Sequence, residues 1–399
     1  MSGGFSRRSF LKVSAWAAGA AMARGAFAAD GAPIQGFEDT GGARADSAVW
    51  TPVSDRKLRV GIAGYGVCKF GAAFGFQDHP NVEVAAVTDL IPERRDELAK
   101  VCRCPVTYPS LEEMVKDPKL EAVFIATDAP SHARHCIEAM KHGKHAATAV
   151  PATFGSVEEG EAVLDTVKST GLKYMMFETT AYRDECHAMR VLHAAGALGD
   201  ILYTEGEYYH YMETPIDSYK GWRIGLPPQW YPTHSNGFYS CIAGGQFTAV
   251  SCVGTKSAIK DFLPENNRYQ NPFGTEIALF KTSDGGTARM AVSWDTPGHH
   301  GEMGRVRGSK GAVSGVVYDG VADVSKVDIK KPALPPGMDG GGHGGSHGNL
   351  CNEFVTAILQ DRKPLVDAAL ALNMTVAGII AHQSALKDGE WMKIPQYSL

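Results

Sequence analysis

The sequence predicts an α/β protein with two domains, an N-terminal Rossmann-type, doubly wound parallel sheet and a C-terminal α+β domain with an open, mostly antiparallel sheet. The first half alternates short apolar segments with helical ones, a pattern typical of parallel sheets. The second half contains strand-like segments separated by turns. The chain of 399 residues, 44% hydrophobic and 21% charged, is long enough to bury two separate cores.

The first 28 residues predict an export signal of the twin-arginine type. Residues 6–12 read Ser-Arg-Arg-Ser-Phe-Leu-Lys and precede an apolar, alanine-rich run. Ala26-Phe27-Ala28 supplies the small-x-small pattern that a signal peptidase requires. The apolar run is too short to span a bilayer, which needs about 20 apolar residues. We therefore expect the twin-arginine translocation machinery to export the protein, to the periplasm or beyond.

Composition narrows the range of partners. The net charge of −5 is spread along the chain without a basic run after the signal, so neither nucleic acid nor an anionic membrane is an expected partner. Most of the eight cysteines lie in apolar segments, which favours buried, reduced thiols over disulfides. Residues 29–56 are rich in Gly, Ala and Asp without periodicity and predict a linker or arm.

Residues 57–175 predict a dinucleotide-binding domain. A strand over 58–63 runs into the turn Gly64-Tyr65-Gly66-Val67, and a second strand over 82–88 follows after a helix. A turn without Cβ atoms lets the backbone approach a pyrophosphate at a helix N-terminus. The third glycine of the usual fingerprint is replaced by Lys69, so the strand-turn-helix-strand order is the stronger indication.

The expected coenzyme is NAD. Asp89 ends the second strand, 25 residues after Gly64, near the spacing at which a carboxylate binds the adenosine ribose. A carboxylate also repels the 2′-phosphate of NADP, although Arg94 follows close by and keeps NADP open. A third strand over 122–127 ends at Thr127, and a helix follows from His132.

Residues 176–399 predict the second domain. The expected strands cover 201–211, 248–254, 276–281 and 287–294, with a strand pair within 304–317, and the expected helices cover 349–360 and 368–386. Separate strands joined by turns favour an antiparallel sheet.

Several segments together carry a family resemblance. Those of the second half are Tyr174-Met175-Met176-Phe177-Glu178, Ala181-Tyr182-Arg183, Gly206-Glu207-Tyr208-Tyr209-His210, Trp222-Arg223 and Tyr231-Pro232-Thr233-His234. With Thr127, His132 and Gly143-Lys144-His145 of the first half, the chain resembles the Gfo/Idh/MocA oxidoreductases, and within them the NAD-dependent glycosidases of glycoside hydrolase family 109.

The resemblance implies a tightly held nicotinamide cofactor, a carbohydrate pocket in the second domain, and a homo-oligomer formed through the open sheet. The residues that it places at the cofactor are Thr127, His132, Val150 and Thr179. Those that it places at the substrate are Tyr208, His210, Arg223 and Thr233.

The chain departs from the family at two points. Most family dehydrogenases carry Glu-Lys-Pro after Gly-Lys-His, and that lysine assists proton transfer, whereas this chain has Ala149-Val150-Pro151. The glycosidase branch keeps the glutamate and carries an asparagine where this chain has Thr179. The acid/base groups must therefore lie elsewhere.

His234, Tyr182 and Tyr231 are the predicted catalytic residues. Hydride removal from a secondary alcohol requires a base for the hydroxyl proton, and the ordinary pKa of histidine near 6.5 suits that role. Three functions stay open. They are net oxidoreduction of a sugar hydroxyl, glycoside cleavage through transient oxidation and elimination, and noncatalytic sugar binding with a structural nucleotide.

The glycine-rich segment 340–348 carries two histidines four residues apart, His343 and His347. It lacks nearby acidic or cysteine partners, so the sequence predicts no metal site there. A mobile lid or a subunit contact is the expected role, and the glycosidase branch has a similar Gly-His-Gly-Gly segment.

Overall fold

The computed structural model of the protein describes residues 49–399. The predicted export signal over 1–28 and most of the predicted arm over 29–56 lie outside the described residues. The described end of the arm lies against the folded protein, because Trp50 Nε1 donates a hydrogen bond to Asn352 Oδ1 at 3.1 Å.

A parallel sheet forms the core of the first domain. Its strands are β1 (Leu58–Ala63), β2 (Val82–Thr88), β3 (Thr107–Tyr108), β4 (Ala122–Ile125), β5 (His145–Thr148) and β6 (Tyr174–Met176). They lie in the order β3-β2-β1-β4-β5-β6, all parallel. The winding direction reverses between β1 and β4, and sheets of this kind bind ligands at that reversal.

Helices connect these strands. They are α1 (Phe70–Ala73), α2 (Pro92–Val101), α3 (Leu111–Met114), α4 (His132–Lys141) and α5 (Val157–Thr170). The α5 helix begins where the Ser156 hydroxyl accepts a hydrogen bond from the Glu159 N–H, and it ends at Gly171 in the left-handed conformation. The helix after the glycine turn has only four residues, and it lies between Lys69 with φ 52° and Gly75 with φ 78°.

The second sheet has eight strands. They are β7 (Ile201–Tyr209), β8 (Phe247–Lys256), β9 (Phe273–Thr282), β10 (Thr287–Ser293), β11 (Gly301–Gly308), β12 (Gly311–Ser314), β13 (Val317–Gly320) and β14 (Met392–Lys393). Their order is β13-β12-β11-β7-β10-β9-β8-β14. Neighbours are antiparallel except β7 and β10, which are parallel.

Helices cover one face of this sheet. The helices of the second domain are α6 (Asp184–Ala194), α7 (Thr233–Ala243), the short helical turn α8 (Gly342–Gly345), α9 (His347–Leu359) and α10 (Ala368–Ala385). The α7 helix packs on β7, and α10 packs on β8. Gly206 permits the close approach of α7, because a Cβ there would collide with the Ser235 carbonyl oxygen.

The predicted fold class is confirmed in both domains. All eight cysteines are buried and unpaired in the structure, as the apolar positions predicted. Within residues 49–399, no helix combines the length and the apolar character that crossing a membrane requires.

Candidate active site

A cavity of about 310 Å³ lies at the winding reversal of the parallel sheet. Of the residues predicted to bind the cofactor, those that line it are Gly64, Gly66, Val67, Asp89, Arg94 and Thr127. The residues predicted from the glycine turn and the strand ends thus line one cavity, which we call the cofactor cleft.

The glycine turn leaves room for a pyrophosphate. Gly64 has φ +101°, and a Cβ there would collide with the carbonyl group of Ala126. At Gly66 a Cβ would meet no atom within 4 Å, so the cleft is open at that point. Gly71 takes over the packing role of the missing third glycine, since a Cβ there would collide with the Gly64 carbonyl oxygen.

Asp89 is held in place to receive a ribose. Its Oδ2 accepts a hydrogen bond from the Tyr65 N–H at 2.7 Å, and its Oδ1 accepts one from the Ile91 N–H at 2.8 Å. A carboxylate offers about four acceptor sites, so this one can still accept from the two hydroxyls of an adenosine ribose. The cleft therefore fits NAD.

Two predicted cofactor residues act from outside the cleft lining. Tyr65 contributes its backbone N–H to Asp89, while its side chain is buried. The His132 ring lies between two carbonyl oxygens, with Nδ1 2.8 Å from Pro151 and Nε2 3.2 Å from Thr127. His132 thus holds the ends of two neighbouring strands together and does not line the cleft itself.

The second domain contributes one wall of the cleft through the segment 217–223. The Arg223 guanidinium lies 4.1 Å from the ring centre of Trp222, and its Nη2 lies 3.8 Å from the Cys68 sulfur. Arg223 was predicted to bind substrate, but this contact with the glycine turn places it at the cofactor cleft.

A second, narrow cavity lies beside the cleft, and Phe70 lines both. The predicted site residues that line it are Val150, Thr179, Tyr208, Tyr231 and His234, and His343 joins them. Its free volume is only about 10 Å³, which is too small for a six-membered ring.

His234 lies in this cavity between two carboxylates. Its Nδ1 is 2.8 Å from Glu178 Oε1, 3.7 Å from Glu302 Oε1 and 3.1 Å from the Thr179 hydroxyl. Burial alone would lower the pKa of His234, but the two negative charges and the hydrogen bond to Glu178 raise it to about 9. These contacts favour a protonated imidazole at His234, which would make it a hydrogen-bond donor, whereas the ordinary pKa of histidine predicted a base.

The two carboxylates are fixed by the strand and turn around them. Glu178 Oε1 accepts a hydrogen bond from the Thr180 N–H at 2.9 Å, and Glu302 Oε2 accepts one from the Thr180 hydroxyl at 2.8 Å. Burial favours the neutral acid at Glu302, but the charges of His234 and Arg183 hold its pKa below the ordinary value. Glu302 therefore stays negative and stabilises the charged imidazole.

His343 faces His234 and has the opposite protonation. The two rings lie 5.9 Å apart, centre to centre, and are nearly parallel at 24°. Burial lowers the pKa of His343 to about 4, so this ring is neutral at neutral pH. The segment 340–348 was expected to be a lid or a subunit contact. The structure places the His343 side chain of this segment, which is 6% exposed, in the wall of the cavity.

The two tyrosines of the cavity keep their hydroxyl protons near neutral pH. Burial raises the pKa of Tyr208 and of Tyr231 above the ordinary value, so Tyr231 is not a proton acceptor near neutral pH. The Tyr208 hydroxyl lies 3.1 Å from Nδ1 of His210. His210 thus orients a residue of the wall without lining the cavity.

Two further predicted residues lie away from the cavity. Tyr182 packs against Arg190, whose guanidinium carbon is 5.4 Å from the ring centre, and stacks on His187. Thr233 begins α7 with its side chain fully buried, and it does not line the cavity. Successive helical residues point about 100° apart, so Thr233 is turned away when His234 faces the pocket.

Sequence reasoning missed Glu302 and did not place His343 in the cavity beside His234. Glu302 is an isolated acidic residue in a strand, and only the register of β11 against β7 places it opposite Tyr208. The side chains of His234, Glu302 and His343 offer ligand atoms within 4.8 Å of one another, close enough to share a metal ion. Nδ1 of His234 already pairs with Glu178, so only its Nε2 is left as a ligand atom for such an ion.

Comparisons with known proteins agree with this geometry. Residues 58–178 match the family described as "Oxidoreductase family, NAD-binding Rossmann fold". The chain is 28% identical over 351 residues to glycosyl hydrolase family 109 protein 2 of Akkermansia muciniphila, covering 78% of this chain and 74% of that protein. It is also 28% identical over 287 residues to family 109 protein 1 of Phocaeicola vulgatus, covering 65% of this chain and 60% of the relative.

The fold is also found in solved structures. A levoglucosan dehydrogenase in complex with NADH and levoglucosan superposes with a TM-score of 0.67 at 19% identity, covering 86% of this chain and 100% of the other. The chain is therefore an NAD-dependent oxidoreductase whose residues 58–178 match the Gfo/Idh/MocA NAD-binding domain and whose sequence is similar to that of the glycosyl hydrolase family 109 proteins.

Proposed function

We propose that the protein transfers a hydride between NAD and a ring carbon of a sugar or glycoside. The observation that carries this proposal is the pairing of a protonated His234 with a neutral His343 in the cavity beside the cofactor cleft. Two titratable groups whose environments push their pKa values apart are typical of an acid/base pair. NAD, when bound, supplies the hydride acceptor.

The chain's own groups move the proton. The neutral His343 takes the hydroxyl proton of the sugar, and the imidazolium of His234 donates a hydrogen bond to the same oxygen. Glu178 and Glu302 keep His234 charged throughout, so it stabilises negative charge that develops on that oxygen. The Tyr208 ring meets the His234 ring edge-on, with 4.6 Å between their centres, and helps to hold it in place.

A carbohydrate suits the walls of the cavity. Phe70, Tyr208 and Tyr231 offer aromatic faces for the apolar face of a sugar ring, and the buried charges bind its hydroxyls. The names of the relatives and of the structurally similar dehydrogenase support the same substrate class.

Glycoside cleavage through transient oxidation is the second candidate. It is favoured by His343, a neutral base on the wall opposite His234, and by the names of the relatives. Oxidation at one ring carbon acidifies the neighbouring C–H, so that His343 removes this proton as the leaving group departs. Water then adds across the double bond that this elimination leaves, which restores the C–H from a solvent proton, and the oxidised ring carbon regains the hydride that it lost, so no NAD is consumed.

Product analysis in deuterated water separates the two candidates. NAD-loaded protein is incubated with a panel of free sugars and nitrophenyl glycosides, and products are identified by mass spectrometry. Oxidoreduction gives a keto sugar with one NADH per turnover. Glycosidase activity gives nitrophenol and a sugar with one solvent deuterium on carbon, without net NADH. If neither product forms, the protein holds NAD and sugar without catalysis.

We also propose that the protein is exported. The support is the Arg-Arg signal and the peptidase pattern of the first 28 residues. Cell fractionation tests this, with periplasmic protein expected for the wild type and retention in the cytoplasm expected for a variant with Arg7→Lys and Arg8→Lys.

We also propose that copies of this chain associate into a homo-oligomer. The outer face of the second sheet exposes apolar side chains, which are Leu202, Val253, Ile277, Leu279 and Met303. Exposed apolar patches of this kind favour association, and a second copy would cover them. Light scattering after gel filtration should give a multiple of the chain mass of 42.7 kDa.

A further inference from the structure

The short helix α1, which follows the glycine turn, is linked to the narrow cavity through His347 and His343. Nδ1 of His347 lies 3.2 Å from the Ala73 carbonyl oxygen, and Nε2 of His347 lies 3.0 Å from Nδ1 of His343. Ala73 is the last residue of α1, where a carbonyl has no partner within the helix. These contacts therefore connect the end of α1, next to the glycine turn, with His343, the proposed base.

These contacts fix the position of each proton. A carbonyl oxygen can only accept, so the proton of His347 lies on Nδ1. Burial lowers the pKa of His347 to about 3, so the ring is neutral and its Nε2 is an acceptor. His343 must then donate through Nδ1–H. Because His343 is also neutral, its basic lone pair lies on Nε2.

We propose that His347 is a positioning residue that fixes the tautomer of His343, leaving Nε2 as the proton-accepting nitrogen. The inference rests on the proposed function for its consequence in catalysis, but the tautomer itself is independent of any activity. In a catalytic histidine, the hydrogen bond made by one ring nitrogen commonly decides whether the other nitrogen is free to accept a proton. His347 performs this through its own hydrogen bond to the backbone.

The packing around His347 supports a fixed orientation. Its ring centre lies 4.2 Å from that of Phe74, and the Phe70 ring meets it edge-on at 6.0 Å. The side chain is buried, with 4% of its surface exposed. These ring contacts and the hydrogen bonds at both nitrogens of His347 oppose rotation of the ring, so the fold sets the direction of the two hydrogen bonds.

Substitutions of His347 separate the two hydrogen bonds. In His347→Gln the amide oxygen replaces Nε2 and still accepts from His343. In His347→Asn the amide reaches the position of Nδ1, so the bond to Ala73 is kept and the bond to His343 is lost. The two variants thus differ in the hydrogen bond to His343, while both carry an amide side chain at position 347.

The primary readout is the tautomer of His343, measured by nitrogen NMR of histidine-labelled, NAD-loaded protein, with His343→Gln for assignment. We expect the proton on Nδ1 in the wild type and in His347→Gln, and a mixture or the Nε2–H form in His347→Asn. A wild-type His343 with its proton on Nε2 overturns the proposal, even if no variant folds. An unchanged tautomer in His347→Asn overturns it as well.

Activity provides the second readout. We expect His347→Asn to lower kcat about 10- to 100-fold, as loss of an orienting partner does, with unchanged affinity for NAD, and His347→Gln to restore most of it. Equal activity of the two variants overturns the proposal. If the wild type is inactive on every sugar, the proposed function fails while the NMR result still decides the tautomer.

Discussion

Nδ1 of His234 lies 2.8 Å from Oε1 of Glu178, and both side chains are buried beneath the cofactor cleft. A buried imidazole without such a partner loses its proton readily, because burial disfavours the charged form. The contact reverses that tendency and gives the cavity a fixed positive donor. In the proposed reaction, the neutral His343, whose ring centre lies 5.9 Å from that of His234, is the proton acceptor.

Replacement of His234 tests the donor. We expect His234→Asn to lower kcat by about 10²- to 10⁴-fold, since the variant cannot carry the charge that stabilises the sugar oxygen. Affinity for NAD, measured by fluorescence titration, should stay within twofold because His234 lies outside the cofactor cleft.

His382 provides the matched control. It is a second buried histidine paired with a carboxylate, 2.7 Å from Glu276, and it does not line the cavity. His382→Asn should reduce stability without a selective loss of kcat. An equal loss of kcat at fixed stability in both variants would show that His234 has only a structural role.

The pH profile of kcat/KM should be bell-shaped. Activity requires His343 without its proton and His234 with its proton, and their pKa values are about 4 and about 9. The rate therefore falls below about pH 4 and above about pH 9. Glu302→Gln should move both limbs to lower pH, because the Glu302 charge raises the pKa of both histidines.

Glu276→Gln is the control for that shift. It removes a buried carboxylate that pairs with His382 and leaves the environment of His234 intact. We expect an unchanged profile. A profile that is the same in Glu302→Gln and in the wild type would contradict the assignment of the alkaline limb to His234.

The glycine turn gives a pair of substitutions with different outcomes. Gly64→Ala should lower the free energy of unfolding by about 1–3 kcal/mol, because Gly64 has φ +101° and its Cβ would collide with Ala126. Gly66→Ala should leave the protein as stable as the wild type, since nothing lies within 4 Å. Its methyl group should still weaken NAD binding, as calorimetry can show. Equal thermal stability of Gly64→Ala and the wild type would contradict the turn geometry.

Asp89 should determine the choice of coenzyme. In Asp89→Asn the amide oxygen can keep one backbone hydrogen bond, but the negative charge is lost. We expect the ratio of NADP to NAD affinity to rise at least about tenfold, equivalent to about 1.4 kcal/mol, because Arg94 remains in the cleft. A ratio that does not change would show that the ribose lies elsewhere.

Chelation tests the assignment of the histidines to proton chemistry. Prolonged dialysis against a strong chelator should leave kcat unchanged within about twofold, because the two carboxylates pair with the charged ring of His234. Loss of activity that zinc or manganese restores would instead identify His234, Glu302 and His343 as metal ligands.

The parallel sheet and its cofactor cleft could be predicted because their signals are local. A glycine turn between two apolar strands and an acidic residue at a strand end place Gly64 and Asp89 without knowledge of distant contacts. The contact of His132 with the Pro151 carbonyl oxygen could not be predicted in this way, since the two residues are brought together only by the fold.

The acid/base pair depends on contacts between distant parts of the chain. Glu178 and His234 are 56 residues apart, and Thr179 and Glu302 are 123 residues apart. The ordinary pKa of histidine suggested a base at His234, whereas the burial of two carboxylates beside it makes the ring a donor. No local pattern records which carboxylates a folded chain brings together.

The most direct test of hydride transfer is a stopped-flow measurement of NAD-loaded protein mixed with a panel of sugars and nitrophenyl glycosides, followed by NADH absorbance. We expect at least one substrate to give NADH absorbance, which persists for oxidoreduction and is transient for glycoside cleavage. We expect this signal to be lost in His234→Asn while NAD stays bound. If no member of the panel gives NADH absorbance or bond cleavage, or if His234→Asn reacts as fast as the wild type, the proposed mechanism is wrong.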